Sequence, residues 1–457
     1  MRILIIITSD LYVRNYIHSG AFNTLENEEC WYIAYEKVQN RASFECKEHF
    51  AGYFTVDEAV VAKHVELLNV LMWKYRKRSS TFMWRFLILY WPMTAQWYRS
   101  NRRGNFFLRW LRSVRGLKYP ILGSAPLSAI AIPYLVRQLT VNEDILRYLE
   151  RIRPDLVIIP SSAYDPIGTD VARLKSRFSY KTLFLIDNWD NISSKSIMWA
   201  LPDHLSVWGE QSKEHAVYIH GMSSDKVTCI GTPRFDSYFS NDPKHFAPPY
   251  DFDYILFCGC AEPFDELSAL KILDFEISGN PALYGTTKIV YRPHPKKHQR
   301  ICEDVFRPDF FENVILDRQA GEYHYRKTDN TYQPDLDYYP SLLFNARLVV
   351  APLTTMIIEA LICGTNVLAV VYNDGVHYTS PHNTLRYYEH FRGVERIKGL
   401  FFCRAKEDLG EKVRQLVADP IRFDRKEMLA SLKYFLYHDE LSYGERLKKI
   451  VRSMIPS

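Results

Sequence analysis

Arg347-Leu-Val-Val-Ala-Pro-Leu-Thr-Thr-Met-Ile-Ile-Glu-Ala-Leu-Ile-Cys-Gly-Thr-Asn-Val-Leu-Ala-Val-Val-Tyr372 reads as strand, turn, helix, turn and strand. Leu348 to Ala351 is a short apolar run closed by Pro352. Thr354 and Thr355 offer N-cap hydroxyls to an apolar helix from Met356 to Cys363, and Gly364 ends that helix. Val367 to Val371 is the next buried strand. Two apolar strands joined by a crossover helix form a βαβ unit of a parallel sheet covered on both faces. A helix that begins at the carboxyl end of such a strand presents free N–H groups, and two hydroxyls beside them make a seat for a phosphate. Glu359 lies one turn beyond Thr355, within reach of a ribose hydroxyl pair attached to that phosphate. Taken alone, the segment also fits an ordinary capped crossover helix with a solvated glutamate.

Upstream, the same alternation recurs. Tyr254 to Cys258 is a buried strand followed by a polar loop and a helix. Lys288 to Tyr291 is a strand that ends in Arg292-Pro-His294-Pro295, and Val314 to Leu316 is another. The two prolines pin the loop so that Arg292 and His294 project into one place. Before these lies Ser240-Asn-Asp-Pro-Lys-His-Phe-Ala-Pro-Pro249, whose prolines and polar residues mark a linker.

A second α/β half precedes the linker. Strands are predicted at Arg2 to Thr8, Trp31 to Tyr35, Leu156 to Ile159, Thr182 to Ile186, Leu205 to Trp208 and Lys226 to Ile230. Ser9-Asp10 closes the first, Pro160-Ser-Ser-Ala-Tyr-Asp165 the third, and Asp187-Asn-Trp-Asp-Asn-Ile-Ser-Ser-Lys195 the fourth. The last is a dense group of carboxylate, amide, hydroxyl and ammonium side chains around Trp189, placed where open parallel sheets bind ligands. No Gly-x-Gly-x-x-Gly follows the first strand, so a dinucleotide fingerprint is absent. The expected division is 1–239, 250–421 and a terminal helix over 422–457 with Met428, Leu429, Leu432 and Phe435 at helical spacing.

The chain of 457 residues is too long for one core, which suits two halves of about equal size. Its eight cysteines lack the spacing of a zinc site or a disulfide scaffold, so a reduced compartment is expected. The amino-terminal apolar run ends after eight residues without a cleavage signature, and no segment has the roughly 18 uninterrupted apolar residues of a spanning helix.

Two α/β halves with polar loops at their strand ends enclose a cleft, one side for a nucleotide and the other for an acceptor. Arg292 and His294 are expected to contact phosphate oxygens, with Thr354, Thr355 and helix N–H groups completing the cradle and no metal required. In their order, Gly231-Thr-Pro-Arg-Phe-Asp236, Arg292-Pro-His-Pro295 and the Thr354-Thr355 helix with Glu359 resemble the motifs of GT-B glycosyltransferases of surface polysaccharide synthesis. Among these, they resemble the CDP-glycerol glycerophosphotransferases and the bacterial sialyl- and Kdo-transferases with a His-Pro motif. The resemblance spans about residues 150 to 420, although the hydroxyl pair of those families is usually Ser-rich. It implies two Rossmann-like domains facing across a cleft, and His294, Thr354 and Thr355 on the nucleotide phosphate.

The resulting expectation is a metal-independent glycosyltransferase that uses a nucleotide sugar as substrate, without a cofactor, and a glycan or lipid-linked acceptor. Asp190 or Asp187 is the candidate base, because a base must reach the acceptor hydroxyl. Asp10, Asp165, Asn188, Trp189 and Arg234 are candidate acceptor or cleft residues. The alternatives are a CDP-polyol phosphotransferase, a nucleotide-sugar epimerase and a non-catalytic carbohydrate-binding protein.

Residues 67 to 142 stand apart. They hold thirteen Lys or Arg and no Asp or Glu, a formal +13 against +5 for the whole chain, leaving −8 for the remainder. They also hold Trp73, Trp84, Trp91, Trp97 and Trp110, five of the nine tryptophans. Aromatic rings interleaved with aliphatic runs and cations suit the headgroup region of an anionic bilayer better than nucleic acid. The expectation is a basic, aromatic helical insertion that holds the protein peripherally on the cytoplasmic face of a membrane.

Overall fold

The computed structural model describes residues 1–45, 47–90, 106–240, 246–295, 305–325, 336–421 and 423–455. Part of the basic segment, including Trp91 and Trp97, and residues 241–245 of the linker lie outside them.

Seven parallel strands form the first sheet: β1 (Arg2–Ile7), β2 (Glu29–Tyr35), β3 (Phe50–Phe54), β4 (Leu156–Ser161), β5 (Lys181–Ile186), β6 (His204–Val207) and β7 (Val227–Cys229). Their order is β3-β2-β1-β4-β5-β6-β7. Six more form the second: β8 (Tyr254–Cys258), β9 (Lys288–Arg292), β10 (Val314–Leu316), β11 (Leu348–Ala351), β12 (Val367–Val370) and β13 (Leu400–Cys403), in the order β10-β9-β8-β11-β12-β13. Both are doubly wound, and each reverses direction once, between β1 and β4 and between β8 and β11. Those reversals are the points at which an open α/β sheet leaves a crevice beyond its strand ends. The central strands are apolar throughout because helices cover both faces: Ile3 to Ile7 and Val349 to Ala351 have no solvent exposure.

The strands absent from the sequence reading, β3 and β13, are both edges. Phe-Ala-Gly-Tyr-Phe is mostly half-buried, and Gly52 sits at φ +133°. In β13, Phe401 and Phe402 are only partly covered. An edge strand lacks the continuous buried run that reveals a central one.

The terminal segment forms two helices rather than the single one expected. Arg425–Leu432 packs with the second half, and after a turn Tyr443–Met454 returns to the first, where Tyr443, Leu447, Ile450 and Val451 join Ile3, Ile5 and Ile158 in one core. Gly231 makes this return possible. It adopts φ +75°, and a β-carbon there would lie 2.4 Å from the Tyr437 carbonyl oxygen. Asp236, five residues on, accepts from the Tyr443 N–H (2.5 Å) and pairs with Arg446 (3.3 Å). The two ends of Gly231-Thr-Pro-Arg-Phe-Asp236 therefore anchor the terminal helix, and Arg234 is held between them.

Two tryptophans of the basic segment, Trp84 and Trp73, are placed otherwise than expected. Trp84, on the helix Ser80–Tyr90, is buried between the rings of Tyr378 (4.6 Å) and Tyr387 (4.4 Å) of the second half. Ser80 donates to the Tyr387 carbonyl (2.7 Å) and to Glu389 (2.8 Å), and the Glu389 N–H donates to Thr81 (2.7 Å). This helix clasps the two halves, so its tryptophan serves packing rather than a lipid interface. Trp73 packs at 4.7 Å against the tilted ring of Phe86, and Arg76 and Arg78 donate to the carbonyls of Trp73 and Ile219.

Candidate active site

The segments that follow β1, β4, β5, β8, β9 and β11 converge on one cavity of about 610 Å3 between the halves, within the roughly 300–1,000 Å3 typical of small-molecule sites. The first half contributes Arg14, Ser162, Asp187, Asn188, Trp189, Asp190, Lys195 and Arg234. The second contributes Gly259, Glu262, Arg292, His294, Thr354, Thr355, Glu359 and His390. Ten of the twelve residues singled out in the sequence thus face one space.

Asp10 and Asp165 do not line it, because their carboxylates hold local structure. Asp10 accepts backbone N–H groups of Gln39 (3.0 Å) and Asn40 (3.1 Å). Asp165 caps the helix Pro166–Phe178 through Gly168 N–H (2.7 Å) and accepts the Ser161 hydroxyl (2.7 Å). Between them Ala163 adopts φ +71°, a conformation disfavoured by about 1 kcal/mol, held by its N–H donating to Ser161 Oγ (2.8 Å). The resulting turn carries Ser162 to the cavity wall.

The loop after β5 separates its two aspartates. Asp187 has no exposure; its oxygens accept from the amides of Asn15 (2.8 Å) and Asn188 (3.0 Å), and Arg14 in turn donates to Asn15 (3.1 Å). Burial pushes the Asp187 carboxyl above its ordinary range, against the opposing pull of Arg234. Asp190 is partly exposed, with one oxygen accepting from Ser194 (3.2 Å). Trp189, between them, is only 3 % exposed and packs on His390, Phe391 and Phe435. It fixes the loop and is not open for stacking on a sugar ring.

Two buried histidines absent from the sequence reading brace this loop. The Nδ1 of His220 accepts from the Met198 N–H (3.0 Å) and its Nε2 donates to the Ile192 carbonyl (2.6 Å), tying both ends of the loop to one neutral ring. His390 lines the cavity with a buried Nδ1 that has no hydrogen-bond partner. Burial lowers its pKa to about 4, with Asp190 opposing the fall. Neither carried a sequence signal: His220 lies at the end of a surface helix, and His390 in a 3₁₀ turn brought in by the clasp of Ser80–Tyr90.

On the second side Thr355 stands at the N-cap position of Met356–Ile362, but its own backbone is helical (φ −60°, ψ −26°) and its side chain makes no capping bond. The expected N-cap hydrogen bond is therefore not made, and the hydroxyl is left on the cavity wall beside Thr354. Glu359 is partly committed: one oxygen accepts from Tyr238 (2.9 Å) and the other lies 3.8 Å from Arg234. Arg292, expected as a phosphate donor, is buried and engaged with Asp317 and with the Tyr339 hydroxyl (3.1 Å). Its guanidinium secures the loop that carries His294.

Arg234 has the arrangement expected of Arg292. It is 10 % exposed, its guanidinium lies over the rings of Trp208 (5.0 Å) and Phe235 (4.7 Å), and its Nε and Nη2 are buried without hydrogen-bond partners. The Glu359 oxygen is near enough for Coulomb attraction and too far for a hydrogen bond. Arg234 thus places a cation with two buried donors lacking hydrogen bonds at the cavity wall.

No protein-family model matches the chain, and no curated protein sequence matches it significantly. Solved structures do. The UDP-GlcNAc 2-epimerase of Methanocaldococcus jannaschii superposes with a TM-score of 0.53 at 12 % identity, over 99 % of each chain. That of Neisseria meningitidis, bound to UDP-GlcNAc, gives 0.51 at 12 % over the whole of both. The α,α-trehalose-phosphate synthase (UDP-forming) of Burkholderia vietnamiensis gives 0.50 at 12 %, over 99 % of this chain and 97 % of that one. Identities this low establish the architecture, which is the two-domain GT-B fold.

Proposed function

We propose that the protein is a glycosyltransferase that moves a sugar from a nucleotide-activated donor to a glycan or lipid-linked acceptor. The observation that carries this reading is the set of groups gathered on one cavity. Arg234 of the first half and the hydroxyls of Thr354 and Thr355 of the second, donors that suit a diphosphate, line the same space as a partly exposed carboxylate, Asp190. In this scheme Asp190 takes the proton of the acceptor hydroxyl as its oxygen bonds to the anomeric carbon. The bond from that carbon to the phosphate oxygen breaks, and the diphosphate leaves with its pair of electrons. Arg234, Thr354, Thr355 and His294 would hold the departing charge, which forms where the donors are already oriented. Asp187, buried and hydrogen-bonded on both oxygens, is a positioning residue beneath the loop, and the neutral His390 offers its free Nδ1 to a substrate hydroxyl.

The test is a panel of nucleoside diphosphates and nucleotide sugars read by thermal shift, since a ligand that binds only the folded chain raises its melting temperature. The Asp190→Asn variant is expected to keep the shift of the wild type and to lose transfer by about 100-fold or more. Transfer at the wild-type rate in that variant would remove Asp190 from the chemistry.

A further inference from the structure

The helices Phe106–Leu122 and Ala125–Arg137 are joined at Gly123 and Ser124 and bent through 101°. Their inner faces are anchored. A β-carbon on Gly123 would lie 2.8 Å from the ring of Trp73, and Leu122, Ile132 and Leu135 pack with Val70, Met72 and Phe86. Their outer faces are also apolar, which this packing does not require. Val114 (44 % exposed), Leu117 (43 %) and Ile121 (57 %) follow i, i+3, i+7 spacing on the first helix; Leu127 (42 %), Ile130 (72 %) and Tyr134 (61 %) repeat it on the second. These six are among fourteen large exposed apolar side chains of the described residues. Together they expose on the order of 500 Å2 of apolar side chain, the size of the largest apolar patch on a typical monomer, which is often functional.

The charge around this knuckle is mostly positive, with Lys118 paired to Glu66 (2.7 Å) of a neighbouring helix. Arg115, Lys118 and Arg137 are exposed on the same two helices, and residues 67 to 142 contain no acidic side chain. No single described helix is long and apolar enough to cross a membrane. An apolar face rimmed by cations, too short to span, suits insertion to headgroup depth in an anionic bilayer. We propose that this knuckle is a lipid-docking surface, entered by Ile130 and Tyr134 and steered by the surrounding arginines. Its position suits the cavity: Tyr90 packs on Tyr119 of the knuckle at 4.8 Å, while Arg85 on the same helix lines the cavity wall. An acceptor with a lipid tail could therefore rest in the bilayer and present its polar end to the cleft. The docking surface itself does not depend on the transfer reading.

The full chain is sedimented with vesicles of phosphatidylcholine alone and of phosphatidylcholine with phosphatidylglycerol. Binding is expected only to the anionic vesicles and should fall with added salt. The double variant Ile130→Ser, Tyr134→Ser should partition about tenfold more weakly or less, whereas Phe275→Ser, 80 % exposed on the second half, should bind as wild type. Unchanged melting and an unchanged nucleotide-induced shift would show that the double variant is folded, and separate this proposal from the fate of the nucleotide site. As a second reading, a polarity-sensitive dye on Ile130→Cys should shift to the blue when anionic vesicles are added. The proposal is overturned by absence of sedimentation with anionic vesicles at low salt, or by binding indifferent to the double variant. It is equally overturned by preference for RNA over lipid, or by a stable dimer that the double variant dissociates.

Discussion

Arg234→Met tests the anion site through a feature visible without ligand. In the free protein two guanidinium donors, Nε and Nη2, are buried without partners, and an unmade hydrogen bond of a buried group costs about 1–3 kcal/mol, more when charged. Phosphate oxygens arriving at both would recover that penalty and add charge assistance, so loss of the guanidinium should weaken nucleoside diphosphate binding by about 3 kcal/mol, roughly 150-fold in Kd. The free protein should respond differently. Methionine keeps the apolar stem against Trp208 and Phe235 and removes the vacant donors, but it also withdraws the cation nearest Glu359 and the one that steadies Asp187. These effects oppose each other, and the unliganded melting temperature should move by no more than about 2 °C. Calorimetric titration and a melting curve on the same preparation give both values. Affinity within threefold of wild type would refute the anion site, and a fall in melting temperature beyond about 5 °C would show that Arg234 is a structural counter-ion instead.

Three further outcomes are expected. Asp190→Asn should bind nucleotide and fail to transfer, as described above. Burial lowers the pKa of His220 and His390 to about 4 and of His215 to about 3. Each is neutral when folded and gains a proton near pH 6.5 when unfolded, so its stabilisation is complete above that pH and lost as pH falls toward 4, by about 3 kcal/mol for His220. Melting temperatures from pH 7 to 4.5 should fall accordingly, and His220→Gln, which can still accept from Met198 and donate to Ile192, should fall less steeply; an identical slope would dissociate His220 from the acid limb. Trp84→Ala should cost about 3–5 kcal/mol in a denaturant titration, because the ring fills the seam between Tyr378 and Tyr387; a loss below about 1 kcal/mol would mean that the clasp adds little.

The parts of this molecule legible in the sequence are those that repeat a local pattern. Both sheets showed through their buried central strands, and the cleft through the polar loops that end them, because a parallel sheet buries its strands on both faces and leaves its ligands at their carboxyl ends. What escaped depends on partners distant in the chain. Arg292 and Arg234 looked alike as arginines next to proline, yet only the fold shows Asp317 beside the first and vacant donors on the second. Asp10 and Asp165 sit at strand ends as Asp187 does, and turned inward to cap backbone. Trp84 and Ser80 were part of a basic segment whose composition pointed outward, whereas they join the two halves 300 residues apart. His390 reaches the cavity only because that clasp holds it there.

The cleft is expected to break the bond between a sugar and its nucleotide diphosphate. Phosphorus NMR of the full chain, given a panel of nucleotide sugars and CDP-polyols together with a lipid-linked glycan fraction, follows that bond directly. A nucleoside diphosphate should accumulate from one nucleotide sugar, only when acceptor is present, and not with Asp190→Asn. Release of CMP from a CDP-polyol, or conversion of one nucleotide sugar into another with both phosphates still bound to sugar, would show that the cleft does not transfer sugar.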